Sequence, residues 1–152
     1  MDHTRPYRET DKAACLALFD SNVPQFFLSS ERNGFAAFLD RVGRDRTYQV
    51  IERDGRIVGC GGHAVEPDGI TASLCWGMID KALHRQGLGR LLTQARIDAA
   101  GLTPGVTQLR LDTSQHTADF YARLGFRIVK VTPDGYGAGL DRCDMILAFD
   151  RL

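Results

Sequence analysis

The stretch HRQGLGRLL, residues 84–92, joins a glycine-bearing turn to the start of a helix. The first amides of a helix have no acceptor within it and carry the positive end of the helix dipole. Glycines let an anion approach the backbone closely, and arginines add charge-assisted donors. The stretch therefore predicts a binding site for a phosphate-bearing molecule, with a diphosphate as the natural ligand. The residues expected to bind it are Arg85, Gln86, Gly87, Leu88, Gly89 and Arg90.

The segments on either side of this turn predict a sheet before it and a helix after it. Five apolar residues recur at helical spacing and form one stripe that faces a sheet: Leu88, Leu91, Leu92, Ala95 and Ala99. Residues 47–80 carry β-branched and aromatic runs around Asp54-Gly55, a strong hairpin signal, and a second turn at 66–69. We therefore predict a three-stranded antiparallel meander ahead of the helix.

Apolar periodicity predicts the remaining elements. We expect a strand at 5–8 and helices at 11–20 and 29–42 before the meander. After the central helix we expect a strand at 105–113, a helix at 117–126, a strand at 126–131, a long loop at 132–142 and a closing strand at 143–149. The order β-αα-βββ-α-β-α-ββ predicts an α/β fold with a mixed sheet and helices on both faces.

Composition bounds the class of protein. The chain has 152 residues, 43% hydrophobic and 25% charged, which suits one compact domain over residues 1–152. Lys+Arg and Asp+Glu are both 19, so no basic excess favours nucleic acid as a partner. The polar N-terminus lacks a secretory pattern, and no apolar run reaches the roughly 18 residues of a membrane span. Neither cysteines nor histidines have metal-ligand spacing, so we expect a cytoplasmic protein with reduced thiols and no metal.

Several cofactors compete for the glycine turn. A dinucleotide fingerprint would need a third glycine where Leu92 stands, and a nucleoside-triphosphate loop would need a Lys-Ser or Lys-Thr pair that the chain lacks. A short G-x-G after an antiparallel strand suits a diphosphate whose remaining arm runs back along that strand, which is the shape of coenzyme A. The alternative is a glycine-bearing loop that only starts a helix.

These residues resemble the GNAT superfamily of N-acyltransferases. The family's phosphate motif is Arg/Gln-x-x-Gly-x-Gly/Ala, which residues 84–89 match at Gly87 and Gly89 and depart from at His84. A second landmark of the family is similar to SQHTADFYARLGF, residues 114–126. The resemblance covers nearly the whole chain. It implies an N-acetyltransferase that takes acetyl-CoA as cosubstrate and a small-molecule or peptide amine as acceptor, with direct attack in a ternary complex.

The resemblance also implies roles for particular residues. The acyl arm would lie along Gly77, Met78 and Ile79, where a bulge exposes amides that hold and polarise the thioester. Tyr121 matches the family's proton donor to the departing thiolate. A phenol has a pKa of about 10 and a thiol about 8.5, so transfer of the proton from Tyr121 to the thiolate is mildly uphill. A strong hydrogen bond from the phenol would therefore provide most of the stabilisation of the leaving thiolate. The alternative for Tyr121 is a core aromatic beside Phe120.

The general base is left open by the sequence. Some relatives carry a glutamate as general base on the central strand. The corresponding position here is Ser73, so this chain has no carboxylate there. A water chain could end at one of four side chains: Glu66, Asp80, His63 or His116. Each of these residue types is more often a turn residue or a solvated side chain. Two alternatives to an acetyl-CoA-dependent N-acetyltransferase stay open. One is a coenzyme A-binding sensor or partner module with little catalysis, and the other is an enzyme that transfers longer acyl groups.

The acceptor side is the least defined. Residues 21–27, Tyr48 and residues 134–142 are candidates for the rim of a pocket. Phe26, Phe27 and Tyr136 could form an aromatic wall or could equally anchor loops to the core. Pairing through the last strands would give a homodimer, and the sequence does not decide the oligomeric state.

Overall fold

The structure, a computed structural model, describes residues 1–42 and 47–150. The helices and strands in chain order are β1 (Asp2–Pro6), α1 (Lys12–Ser21), α2 (Arg32–Val42), β2 (Tyr48–Arg53), β3 (Arg56–Val65), β4 (Thr71–Ile79), α3 (Leu88–Gly101), β5 (Gln108–Thr113), α4 (Ala118–Ala122), β6 (Arg127–Gly137) and β7 (Leu140–Ala148). Short 3₁₀ turns lie at Glu9–Asp11, Ser29–Glu31 and Lys81–Leu83. The predicted order of helices and strands is confirmed.

The strands form a mixed sheet in the order β1-β2-β3-β4-β5-β7-β6. Strands β4 and β5 run parallel, whereas β2 is antiparallel to both β1 and β3, and β7 is antiparallel to both β5 and β6. Asp54 and Gly55 both have positive φ, +50° and +79°, as a tight turn between β2 and β3 requires. The predicted α/β class and the hairpin at this turn are confirmed.

The described chain divides into two compact units. The first comprises Met1–His63 and Cys75–Ala99, and the second Ala64–Leu74 and Ala100–Leu152. In the first unit Val50 of β2 joins a core with Phe19 and Phe35 of α1 and α2. Its neighbour Ile51 packs with Leu88 and Leu92 of α3 instead. Successive residues of a strand point to opposite faces, so helices cover both faces of this part of the sheet, as predicted.

The second unit contains the start of β4 together with β5, α4, β6 and β7. Its most deeply buried hydrophobic residues are Ala72, Ala100, Val106, Leu109, Phe126, Cys143 and Met145. Leu109 and Met145 come from strands that pair antiparallel, which explains the apolar alternation in both sequences. Strand β6 is exposed along almost its whole length.

Several predicted bounds were wrong. Strand β5 begins at Gln108 rather than at 105, and helix α4 ends at Ala122 rather than at 126. The first strand spans residues 2–6 rather than 5–8, because it pairs with β2 through polar residues that carry no apolar periodicity: Arg53 bonds to Asp2, and His3 lies 3.1 Å from Glu52. Residues 132–142 are not a long loop, since β6 runs to Gly137 and β7 begins at Leu140.

The polar residues of that segment close a hairpin. Asp134 has φ +55° and its carboxylate accepts a hydrogen bond from Gly139 N at 2.7 Å. The Asp141 carboxylate accepts in turn from Asp134 N at 3.0 Å. Glycine and aspartate, which usually indicate a loop, here support an irregular strand end.

Across the described parts of the chain, no helix combines the length and apolar character that crossing a bilayer demands. Within those same residues, no three His, Cys, Asp or Glu side chains are grouped so as to hold a metal ion. The four cysteines are free thiols, and Cys15, Cys60 and Cys143 are buried.

Candidate functional site

The glycine turn ahead of α3 has the backbone geometry of an anion site. Arg85 and Gly87 have positive φ, +67° and +82°, and the helix begins at Leu88. The first helical hydrogen bond of this turn runs from Leu91 N to the Gly87 carbonyl oxygen at 3.1 Å. The amides of residues 88–90 therefore have no acceptor within the helix, and they lie at its positive end.

The side chains of the turn divide into exposed polar groups and one buried anchor. Arg85, Gln86 and Arg90 are exposed, and no carboxylate in the described part of the chain pairs with either arginine. Gln86 accepts a hydrogen bond from Arg53 at 3.2 Å. Leu88 is 2% exposed and packs in the core, so it can offer a ligand only its amide. The turn thus presents two cations and a set of amides to solvent.

His84, where the sequence departs from the expected motif, anchors the turn to the end of β4. Its Nε2 donates a hydrogen bond to the Ile79 carbonyl oxygen at 3.0 Å. The same oxygen accepts from Nδ2 of Asn22 at 2.9 Å, and Asn22 is only 2% exposed. Asn22 lies within residues 21–27, the segment expected at the rim of a pocket, but the sequence indicated no role of its own for it. Its signal was weak, because an asparagine directly after a helix is ordinarily a capping residue.

Strand β4 contains a bulge directly before Gly77. Where β3 turns into β4, Glu66 N bonds to the Thr71 carbonyl oxygen. At the other end of this strand pair, Asp80 N bonds to the Val58 carbonyl oxygen. Between these two points β4 uses one residue more than β3. Trp76 has φ +44°, and its carbonyl oxygen accepts a hydrogen bond from the Tyr48 hydroxyl at 2.8 Å. The bulge expected from the resemblance is therefore present, centred on a residue that the sequence had not indicated.

Gly77 is covered on one side by Arg96. A Cβ atom on Gly77 would lie 2.6 Å from Arg96 Nη1, and the Arg96 side chain is 6% exposed overall. The absence of a side chain at Gly77 therefore makes room for the buried guanidinium of Arg96. This packing role is separate from the close approach of a ligand expected at Gly77. Arg96 follows Leu88 and Leu92 at intervals of four residues, so a charged residue on the apolar stripe of α3 was the signal that could have revealed it. Met78 is 5% exposed, and Ile79 is half-buried.

Tyr121 lies in α4 with its ring held edge-on by two aromatic neighbours. The ring centroids of Phe120 and Phe126 are 5.1 Å and 5.9 Å away. Among residues 1–42 and 47–150, no hydrogen bond engages the Tyr121 hydroxyl. Ring packing alone explains an aromatic residue here, and it makes no use of the hydroxyl.

Asp80 and Glu66, two of the four candidate bases, bind arginine side chains. Asp80 bonds to Arg56 at 2.6 Å and caps a 3₁₀ turn by accepting from Ala82 N at 3.0 Å. Glu66 forms an ion pair with Arg110. Of the two histidines, His63 is 2% exposed and His116 is exposed.

The aromatic rim candidates have different environments. Tyr48 is completely buried beside Tyr7 and Phe38, so its expected place at a rim was wrong: its aromatic ring fills the core. Phe27 stacks on Phe19 with a centroid distance of 5.0 Å, as a core anchor does. The two other candidates, Phe26 and Tyr136, are 55% and 42% exposed.

Tyr136 belongs to a polar group on the last strands. Its hydroxyl donates to the Asp112 carboxylate, which also lies 3.8 Å from Arg142. Burial and the hydrogen bond to Asp112 raise the pKa of Tyr136 well above the ordinary value of a phenol. Tyr136 is therefore a neutral hydrogen-bond donor over the physiological pH range.

The mixed sheet and the glycine turn that opens α3 agree with the acyltransferase fold expected from the sequence. The family model described as an acetyltransferase (GNAT) domain matches residues 44–128, more than half of the chain. The protein therefore belongs to the GNAT acetyltransferase family. Among curated proteins, no sequence matches the chain.

Solved structures share the fold over almost the whole chain. The structure of yncA from Salmonella typhimurium with its cofactor acetyl-CoA aligns with a TM-score of 0.83 and 20% identity over 100% of this chain and 96% of that one. The ribosomal-protein-S18-alanine N-acetyltransferase from Escherichia coli gives 0.79 and 23% over 100% and 96%. An aminoglycoside 6'-N-acetyltransferase complexed with coenzyme A gives 0.76 and 15% over 99% of each chain. At these identities the likeness concerns the fold.

Proposed function

We propose that this acetyltransferase moves the acetyl group of acetyl-CoA to a primary amine by direct attack in a ternary complex. The observation that carries the proposal is the turn at residues 85–90, which combines helix-start amides, a glycine with positive φ and two arginines without carboxylate partners in the described chain. Family membership and neighbours solved with acetyl-CoA or coenzyme A support the same cosubstrate.

The diphosphate would bind to the amides around Gly87 and Gly89, with Arg85 and Arg90 adding charge-assisted hydrogen bonds. Gln86, which is exposed beside these arginines, would line the same site. The pantetheine arm would then follow the backbone of residues 77–79. The bulge before Gly77 supports this path, because a bulge interrupts strand pairing and turns backbone groups toward a ligand.

The proposed reaction forms one bond and breaks one. The amine lone pair attacks the thioester carbonyl carbon, a C–N bond forms, and the carbonyl oxygen becomes an oxyanion that a backbone amide of residues 77–79 stabilises. Collapse of this intermediate breaks the C–S bond. The Tyr121 hydroxyl gives its proton to the leaving thiolate, and the proton lost by the amine passes through water to the phenolate, which restores Tyr121 for the next turnover. The role of Tyr121 rests on its match to the family motif.

The experiment is the Tyr121→Phe variant. We expect kcat to fall at least about 100-fold, since a positioned proton donor contributes that much or more, while the Kd for acetyl-CoA stays within about twofold. Thiol release from acetyl-CoA over a panel of amines gives kcat, and calorimetry gives Kd. Tyr7→Phe is the matched control, because Tyr7 is 5% exposed in the core beside Tyr48 and should keep its turnover. Unchanged kcat in Tyr121→Phe removes Tyr121 from the mechanism.

The same assay separates the alternatives. A coenzyme A-binding module would bind acetyl-CoA and release no thiol with any amine, whereas an enzyme for longer acyl groups would show a higher kcat/KM with a longer acyl-CoA. The proposal predicts amine-dependent thiol release with acetyl-CoA as the preferred donor.

A further inference from the structure

The segment between α1 and the following 3₁₀ turn, residues 22–28, borders the end of β4 within the first unit. We call it the α1–α2 linker. Asn22 of the linker donates to the Ile79 carbonyl oxygen at 2.9 Å, and Phe26 packs edge-on against the His84 ring with a centroid distance of 5.1 Å. Just before the linker, Ser21 accepts a hydrogen bond from Lys81 N at 3.2 Å. Three contacts therefore hold this segment against the junction of β4 and the glycine turn.

Two large apolar side chains of the linker face solvent. Phe26 is 55% exposed and Leu28 is 63% exposed, whereas Phe27 between them turns inward onto Phe19. Single exposed apolar residues are common on protein surfaces. Phe26 is distinguished by its position, because it touches His84, which itself bonds to the end of the strand proposed to hold the acyl arm. The aromatic contact also orients the Phe26 ring, so a ligand that packs on it loses little additional entropy.

The linker contains no charged residue, and the acidic residues on either side of it are engaged. Asp20 forms an ion pair with Arg32, with 2.8 Å between Oδ1 and Nε. Glu31 accepts a hydrogen bond from Leu28 N at 2.8 Å. A second ammonium group that packs directly on the linker would therefore meet no charge of the linker itself, which is unfavourable because a desolvated cation needs a partner.

We propose that the acceptor is a small monoamine carried on an aromatic or branched aliphatic group that packs on Phe26 and Leu28. The proposal rests on the proposed N-acetyltransferase function and names its substrate class. Its chemistry excludes polyamines and aminoglycosides as preferred acceptors, because each further ammonium group would be placed against the uncharged linker.

The test measures kcat/KM for thiol release with 2-phenylethylamine, isoamylamine, methylamine, spermidine, kanamycin and a peptide that begins with phenylalanine. We expect the first two amines to exceed all the others at least about 10-fold, as differential burial of one apolar group allows. In Phe26→Ala the KM for 2-phenylethylamine should rise about 10-fold, while kinetics with methylamine and the Kd for acetyl-CoA stay unchanged. Phe26→Leu should recover part of the loss, and Leu102→Ala, which trims a residue that is 85% exposed in the second unit, should have no effect.

The outcomes distinguish this inference from the function on which it rests. Higher kcat/KM with spermidine, kanamycin or the peptide, or an equal loss for every amine in Phe26→Ala, overturns the substrate class and leaves the acetyltransferase standing. Acetyl-CoA binding without thiol release for any amine overturns both.

Discussion

Arg96 explains why β4, the strand proposed to hold the acyl arm, carries a glycine at position 77. Its side chain lies over Gly61 and Gly77, where Cβ atoms would come within 3.3 Å and 2.6 Å of it. A buried guanidinium requires close polar contacts and space that only small neighbours provide. Gly61 in β3 and Gly77 in β4 supply that space, so Gly61 of the run GCGG has a packing reason in addition to strand flexibility.

This arrangement predicts the effect of Gly77→Ala. The added methyl group must displace the Arg96 guanidinium, so we expect a loss of about 1–3 kcal/mol in the free energy of unfolding, typical of overpacking a core. Urea unfolding followed by circular dichroism measures it. Gly34→Ala is the control, because Gly34 lies within α2 and a methyl group added there would have nothing within 4 Å, so alanine should stabilise by roughly 0.5–1 kcal/mol. Equal stability of Gly77→Ala and the wild type would contradict the proposed packing of Arg96.

Individual residues of the candidate site were predictable only where a motif names them. Gly87 and Arg85 could be found because glycine and a cation at a helix start have a direct chemical meaning, and both have positive φ in the structure. Trp76 could not, since a tryptophan in a strand pattern predicts a core residue and gives no sign of a bulge. Asn22 acts on a carbonyl oxygen 57 positions away in sequence, and local patterns contain no information on such contacts.

At the scale of helices and strands, the elements that could be predicted are those whose apolar residues follow the period of a strand or of a helix. The hairpin at Asp54-Gly55 and the stripe of α3 are examples, because turn chemistry and apolar spacing both act locally. Strand β1 was displaced in the prediction because Asp2 and His3 are polar and find partners on β2. The end of β6 was missed because pairing with β7 resumes at Gly137 and Leu140 after an irregular segment.

The connection between β1 and α1 predicts a dependence of stability on pH. Asp11, 6% exposed in the 3₁₀ turn, accepts two hydrogen bonds from Arg5 at 2.9 Å and one from Arg8 N at 2.8 Å. Burial acts to raise the pKa of this carboxyl group, but the hydrogen bonds and charges of Arg5 and Arg8 outweigh it and hold the pKa below its usual value. The carboxylate therefore contributes stability that is present above about pH 4, the unfolded pKa, and is lost as pH falls through the lower folded value.

Asp11→Asn should consequently destabilise the protein by about 2 kcal/mol at pH 7, and by clearly less at pH 3. Urea unfolding at both pH values measures the difference. Asp40→Asn is the matched control: its carboxylate pairs with Lys12 at 2.7 Å but is 63% exposed, so it should change stability by less than about 1 kcal/mol. The same loss for Asp11→Asn at pH 7 and pH 3 would show that the charge of Asp11 does not stabilise the fold.

For the whole molecule, the order of elements was predictable because each helix and strand has its own periodicity, and the family follows from that order combined with two motifs. The oligomeric state was not predictable. Strand β6, last in the sheet order, exposes Ile128, Val129 and Val131 by 48%, 45% and 49%, yet it also carries Lys130 and Pro133, which discourage edge pairing. A homodimer through the last strands therefore stays a prediction.

The proposed function depends on the binding of acetyl-CoA by the turn before α3. Arg85→Ala combined with Arg90→Ala removes the two cations and leaves the fold intact, because both side chains are exposed and bind no carboxylate in the described chain. The matched control is Arg127→Ala with Lys130→Ala, two exposed cations on β6.

The most direct measurement is calorimetric titration of the wild type and both double variants with acetyl-CoA at low and moderate salt. We expect that the wild type binds, that loss of Arg85 and Arg90 weakens the Kd at least about 10-fold and reduces its salt dependence, and that the control matches the wild type. Absence of binding by the wild type, or equal Kd values for all three proteins, would contradict the proposed role of this turn.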